Sequence, residues 1–129
     1  MTIVRLLAAI STGLLIFFGL PANAEKPSLT VYTYASFVSD WGPGPLIEPA
    51  FEAQCQCDLK FVGVEDGAAL LGRLKLEGSR SSADVIVGLD TSLVAEARQT
   101  GLLDIHGLDL GTIDFALTWS DPNFIPYDF

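Results

Sequence analysis

Three short segments dense in β-branched and aromatic residues alternate with stretches of helical spacing, and this alternation constrains the chain more than any other feature. Residues 28–34 (SLTVYTY), 58–64 (DLKFVGV) and 83–88 (ADVIVG) have the composition of β-strands. The last is short and apolar, as expected of a strand buried on both faces. Between the strands, Ile47, Ala50 and Phe51 recur at helical spacing over residues 46–54, and Leu70, Leu71 and Leu74 mark the face of a second helix. Gly42-Pro43-Gly44-Pro45 breaks regular structure ahead of the first helix, and Gly78 should stop the second. Asp90 is placed to cap a third helix with the stripe Leu93, Val94 and Ala97, which Gly101 should end. Strand and helix thus alternate three times, which predicts an α/β fold: a parallel sheet with helices on its faces.

Ahead of this pattern lies a different kind of segment. Arg5 is followed by an apolar run over residues 6–20 and then by Ala22-Asn23-Ala24, a small-x-small pattern. The run is about 15 residues, against the roughly 20 that cross a bilayer. Residues 1–24 therefore read as a secretory signal peptide cleaved after Ala24. Removal of 24 residues from 129 leaves 105, which suits one small domain or part of a larger one. The chain has 7 basic and 16 acidic residues, and Arg5 is the only charge in the leader, so residues 25–129 carry 6 against 16, a net −10. Such a surface excludes nucleic acid as a partner, because phosphate contacts need basic side chains. The segment FIPYDF at residues 124–129 ends the sequence on an aromatic run where a domain normally has a polar tail. The expectation is that residues 25–129 are one lobe of a longer protein.

In open parallel α/β sheets, ligands bind beyond the carboxyl ends of the strands. The connections expected there are residues 34–44, with Ser36, Asp40 and Trp41; Glu65-Asp66-Gly67; and Leu89-Asp90. Tyr34, Trp41, Asp66 and Gly67 are the candidate ligand-binding residues. Aromatic faces attract a flat cation through their quadrupole, and a carboxylate adds Coulomb attraction. Gly67 lets a ligand approach the backbone, next to helix N-terminal amides. Structural roles also fit: Tyr34 as the end of a core strand, Asp66 and Asp90 as helix caps, the cap being the preferred reading for Asp90. Catalytic patterns are thin. The glycines form neither a phosphate loop nor a dinucleotide fingerprint, and one histidine, His106, offers no Ser-His-Asp setting. Cys55 and Cys57 stand one residue apart and far from His106, too few ligands for the common zinc sites. An exported location permits a disulfide between them, structural or redox-active.

The segments LTVYTYASF, DWGPGP, FEAQCQCDLKFV, VEDGAALLGRLKLEG and ADVIVGLD, in this order, resemble the N-terminal lobe of the periplasmic thiamine-binding proteins of ABC transporters. The resemblance covers most of residues 28–103. It implies the N-terminal lobe of a two-lobed class II periplasmic binding fold, with thiamine or its phosphate esters carried in the cleft as ligand, no cofactor and no bound metal. It implies delivery to permease subunits in the inner membrane by a non-enzymatic protein, monomeric when full-length. Asp66 and Gly67 match the family's EDG segment, and Tyr34 and Trp41 match aromatic positions that face the cleft. Where the family often has an acidic residue, this chain has Ala35. Other readings remain open: a receptor for a different organic cation such as a polyamine or for a metal complex, an exported thiol–disulfide enzyme using Cys55 and Cys57, or a non-catalytic envelope module. The leader reading makes its own prediction. The exported protein should begin at Glu25, and an intact mass that retained residues 1–24 would contradict it.

Overall fold

A computed structural model describes residues 25–112 and 119–126. The leader and its cleavage site, and Tyr127 and Asp128, lie outside the described residues. Strand β1 spans Ser28–Tyr34 and β2 spans Asp58–Val64, the bounds expected from composition. They pair in parallel over their whole length, from Ser28 opposite Asp58 to Tyr34 opposite Val64. Strand β3, Val85–Ile86, pairs in parallel with the other edge of β1, giving the order β2-β1-β3. Backbone bonds extend that ladder at both ends, from Asp84 N to Thr30 O (2.9 Å) and from Val87 N to Tyr32 O (2.9 Å).

Strand β3 departs from expectation. It is shorter than residues 83–88 suggested, and Val85 is 43% exposed rather than buried on both faces. Among the described residues it is an edge strand, with a partner on one side only, and this exposes what an apolar β-branched sequence would bury in the interior of a sheet.

Helix α1, Gly44–Cys55, starts two residues before the expected point, because Pro45 occupies the first turn, where a missing N–H costs nothing. The helix ends at Gln56, which adopts the left-handed conformation (φ 56°) and donates its N–H to Glu52 O. Only Gln56 and Cys57 separate α1 from β2, and a Cys55–Cys57 disulfide closes this corner. Glu52 Oε1 accepts from Leu59 N at 2.9 Å, so helix and strand are joined through backbone, carboxylate and sulfur.

Helix α2, Gly67–Glu77, buries Leu70, Leu71 and Leu74 and ends at Gly78 as predicted. Each such side chain contributes roughly 2 kcal/mol when removed from water. Helix α3, Val94–Gln99, brings Ala97 against Leu71 and Leu74, with Ile86, Leu89, Leu93 and Phe124 packed around them. Asp90 does not cap α3. Its carboxylate accepts from Ser92 N and the Ser92 hydroxyl within a turn, and Leu93 holds the N-cap position. The turn satisfies Asp90 before the helix begins. Residues 119–126 are held to this face by an Arg98–Asp121 ion pair and by His106 N donating to Pro122 O.

Tyr32 is the polar centre of the α2 face. Its side chain is buried (1% exposed), and its hydroxyl donates to Glu77 Oε2 (3.0 Å) and meets Ser82 Oγ (2.9 Å). The Arg73 guanidinium lies 4.3 Å from the centre of its ring and bonds Glu77 at 2.8 Å. The Arg73 hydrogen bond holds the Glu77 carboxyl below its ordinary range; burial opposes this, and Ser81 and Tyr32 reinforce it. Tyr32→Phe should cost about 1–2 kcal/mol, read as a lower urea midpoint at unchanged slope. Because the folded Glu77 pKa is depressed, its contribution is present above the unfolded pKa. It should be lost on acidification below about pH 4.

Candidate functional site

Tyr34 is the last residue of the central strand, so whatever follows it must leave at the carboxyl edge of the sheet. The chain turns at once: Phe37 N donates to Tyr34 O (3.0 Å), Gly42 N to Ser39 O (2.8 Å) and Gly44 N to Phe37 O (2.8 Å). Phe37, buried at the heart of this loop, sets its ring edge-on to Tyr34 at 5.7 Å and tilted to Phe61 at 5.4 Å. Gly42 is required here, because a Cβ would stand 2.2 Å from Ser36 O. The loop carries Trp41 out into solvent, 80% exposed.

After β2, the chain reaches Asp66, whose extended backbone and carboxylate form the N-cap of α2: Oδ1 accepts from Ala69 N at 2.8 Å. The cap role that the sequence allowed is thus present. The carboxylate remains on an exposed residue, open to a solute as well. Gly67 follows, and a Cβ on it would lie 2.7 Å from Gly88 O and 3.3 Å from Leu93 Cδ1. Gly88 lies two residues beyond β3 at φ +108°, a conformation suited to glycine, and a Cβ on it would stand 2.2 Å from Tyr34 Cδ1 and 2.6 Å from Cε1.

The three connections therefore interlock. The Tyr34 ring edge lies on Gly88, the Gly88 carbonyl lies on Gly67, and Asp66 stands beside Gly67. Three of the four predicted residues, Tyr34, Asp66 and Gly67, come together at the carboxyl edge; Trp41 projects from the adjoining loop. Sequence reasoning missed Gly88 and Phe37. Gly88 was visible as the end of an apolar strand, and Phe37 as a large apolar residue in a loop, but neither pattern says which ring it meets.

Glu65, Asp66 and Asp90 are exposed on these connections. The Ser92 hydroxyl, with the Ser92 and Leu93 amides, holds Asp90 below the usual carboxylate range against the opposing effect of burial, so it is ionised at neutral pH. An aromatic wall, a glycine floor and an acidic rim can bind a flat organic cation. No cluster of three or more His, Cys, Asp and Glu side chains suited to a metal occurs among the described residues. A separate open groove runs along β2, lined by Val38, Glu48, Asp58, Lys60 and Phe61, and includes none of the predicted residues.

No protein-family model matches the chain. It is 47% identical over 126 residues to the thiamine-binding periplasmic protein of Brucella suis biovar 1 (strain 1330), covering 97% of this chain and 38% of the relative. With the protein of the same name from Escherichia coli (strain K12) it shares 49% over 104 residues, 81% of this chain and 32% of that one. A solved periplasmic thiamin binding protein superimposes with a TM-score of 0.73 at 50% identity, over 78% of this chain and 32% of the other. A ferric binding protein from Campylobacter jejuni gives 0.52 at 28% identity, over 62% and 24%. The chain thus spans about a third of the length of the curated relatives it matches, 38% of the Brucella suis protein and 32% of the Escherichia coli one. These matches bear out the resemblance seen in the sequence, and the fold with it: a parallel α/β lobe of the periplasmic binding proteins. The cap geometry predicts that Asp66→Ala lowers stability by about 1 kcal/mol while Asp66→Asn changes it by only a few tenths. Thermal denaturation of the two variants checks the ranking.

Proposed function

Because the chain matches thiamine-binding periplasmic proteins along nearly all of its length, we propose that it is the first lobe of a periplasmic receptor for thiamine and its phosphate esters. The receptor holds its ligand between this lobe and a second one and delivers it to an importer in the inner membrane. The observation that carries the reading is the convergence of the Tyr34 ring, Gly67 and the exposed Asp66 carboxylate at one edge of the sheet. Thiamine pairs a thiazolium cation with a flat aminopyrimidine. Tyr34 and Trp41 supply faces for stacking, and Asp66 can accept from an amino group or face the cation. Gly67 lets the Gly88 carbonyl pack against the amino end of α2, which sets Asp66 close to the aromatic wall. A second lobe closing over this wall would exclude water and strengthen each of these contacts.

On this reading the protein is a receptor rather than a catalyst. The Cys55–Cys57 disulfide joins the end of α1 to the start of β2, at the amino end of the strand and away from the edge that carries Tyr34 and Asp66. Its position argues for bracing a corner rather than for exchanging thiols with a substrate.

In the full-length protein, Asp66→Asn should weaken thiamine binding by about 1–3 kcal/mol, the range for a hydrogen bond to a charged group. Since asparagine caps helices as well as aspartate, the loss should come without a matching loss of stability. Calorimetric titration decides it: unchanged affinity would leave Asp66 as a cap and nothing more.

A further inference from the structure

We propose that Gly88 is a positioning residue of this site, fixing where the Tyr34 ring stands relative to the amino end of α2; the inference rests on the thiamine reading above. Gly88 lies between the two. On one side, the Cδ1–Cε1 edge of the Tyr34 ring occupies the space of a Cβ, 2.2 and 2.6 Å from where that atom would be. On the other side, the Gly88 carbonyl abuts Gly67, where a Cβ would stand 2.7 Å from the oxygen. The residue thus acts as a spacer one peptide thick between the aromatic wall and the helix end that carries Asp66. The ring has little freedom to yield elsewhere. The buried Phe37 meets it edge-on at 5.7 Å, and Tyr34 is the last residue of a fully paired strand.

Any side chain at position 88 would have to displace the ring. It would also have to adopt φ +108°, which L-residues disfavour. The first effect is specific to the ring and the second is not, so the two can be separated. In a variant with a small residue at position 34 the clash is gone, and only the backbone cost of the substitution remains.

The test is a cycle of Gly88→Ala, Tyr34→Ala and the double variant in the full-length protein, titrated with thiamine and melted without it. Gly88→Ala should weaken thiamine binding about tenfold, the worth of one cation–π interaction in a partly desolvated site. In the Tyr34→Ala background it should cause little further loss, because there is no ring to misplace. The near-ultraviolet tyrosine circular dichroism of Gly88→Ala should change in the ligand-free protein. Should Gly88→Ala alone fail to fold, the double variant should recover folding, since it removes the ring that causes the clash. Equal losses of affinity in both backgrounds, unchanged affinity in Gly88→Ala, or equal failure of the single and double variants to fold would each overturn the proposal. A wild-type protein that bound no thiamine would instead remove the receptor reading, while the circular dichroism cycle would still show whether Gly88 fixes the ring.

Discussion

The parallel hydrogen-bond ladder on both edges of β1 is the constraint from which the rest of the lobe follows. β2 lies along one side for the full seven residues, and β3 with its flanking bonds lies along the other. Since the strands are parallel, each link between them must cross back over a face of the sheet, and α1 and α2 are those crossings. The α2 side of β1 shows Tyr32, wrapped by Arg73 and Glu77; the alternate residue Val31 faces the other way, in register with Phe61. One strand thereby anchors both layers: its buried Tyr32 hydroxyl is matched by Glu77 and Ser82, whereas the buried Thr33 hydroxyl meets no partner among the described residues.

Parallel pairing has a second consequence: all three strands end at the same edge. Their carboxyl ends bring Tyr34 against Gly88 and Gly88 against the Asp66-Gly67 turn, although the three lie far apart along the chain. The packing is made possible by small residues. Gly67 and Gly88 allow backbone to touch backbone and ring, whereas a Cβ at either would overlap its neighbour. An aromatic wall held this tightly is preorganised for a flat ligand, which spares the cost of ordering it on binding.

The end of the sheet opposite the site is braced differently. There the two-residue link between α1 and β2 is closed by the Cys55–Cys57 disulfide, and Glu52 reaches from the helix to the strand backbone. Surface ion pairs such as Lys60–Asp58 at 3.1 Å add little, being exposed and screened. Rigidity at the corner and close packing at the edge belong to the same strand, β2, which links the bracing to the Asp66 turn.

Sequence alone determined the element order, both long strands to their terminal residues, the buried face of α2 and the presence of Tyr34, Asp66 and Gly67 at the sheet's carboxyl edge. These are local or periodic signals: β-branched and aromatic runs, leucines at helical spacing, a capping aspartate before glycine. It overextended β3 and gave Asp90 a helix to cap. Strand pairing depends on a neighbour that sequence does not display, and an aspartate can be satisfied by the nearest amides before any helix begins. Only the tertiary structure decided that Gly88 carries the Tyr34 ring, that Phe37 fills the loop beneath it, and that Tyr32 gathers Arg73, Glu77 and Ser82 around one hydroxyl. Those relations join residues distant in the chain through contacts of a few ångströms, and a sequence fixes which side chains are available without stating which of them meet.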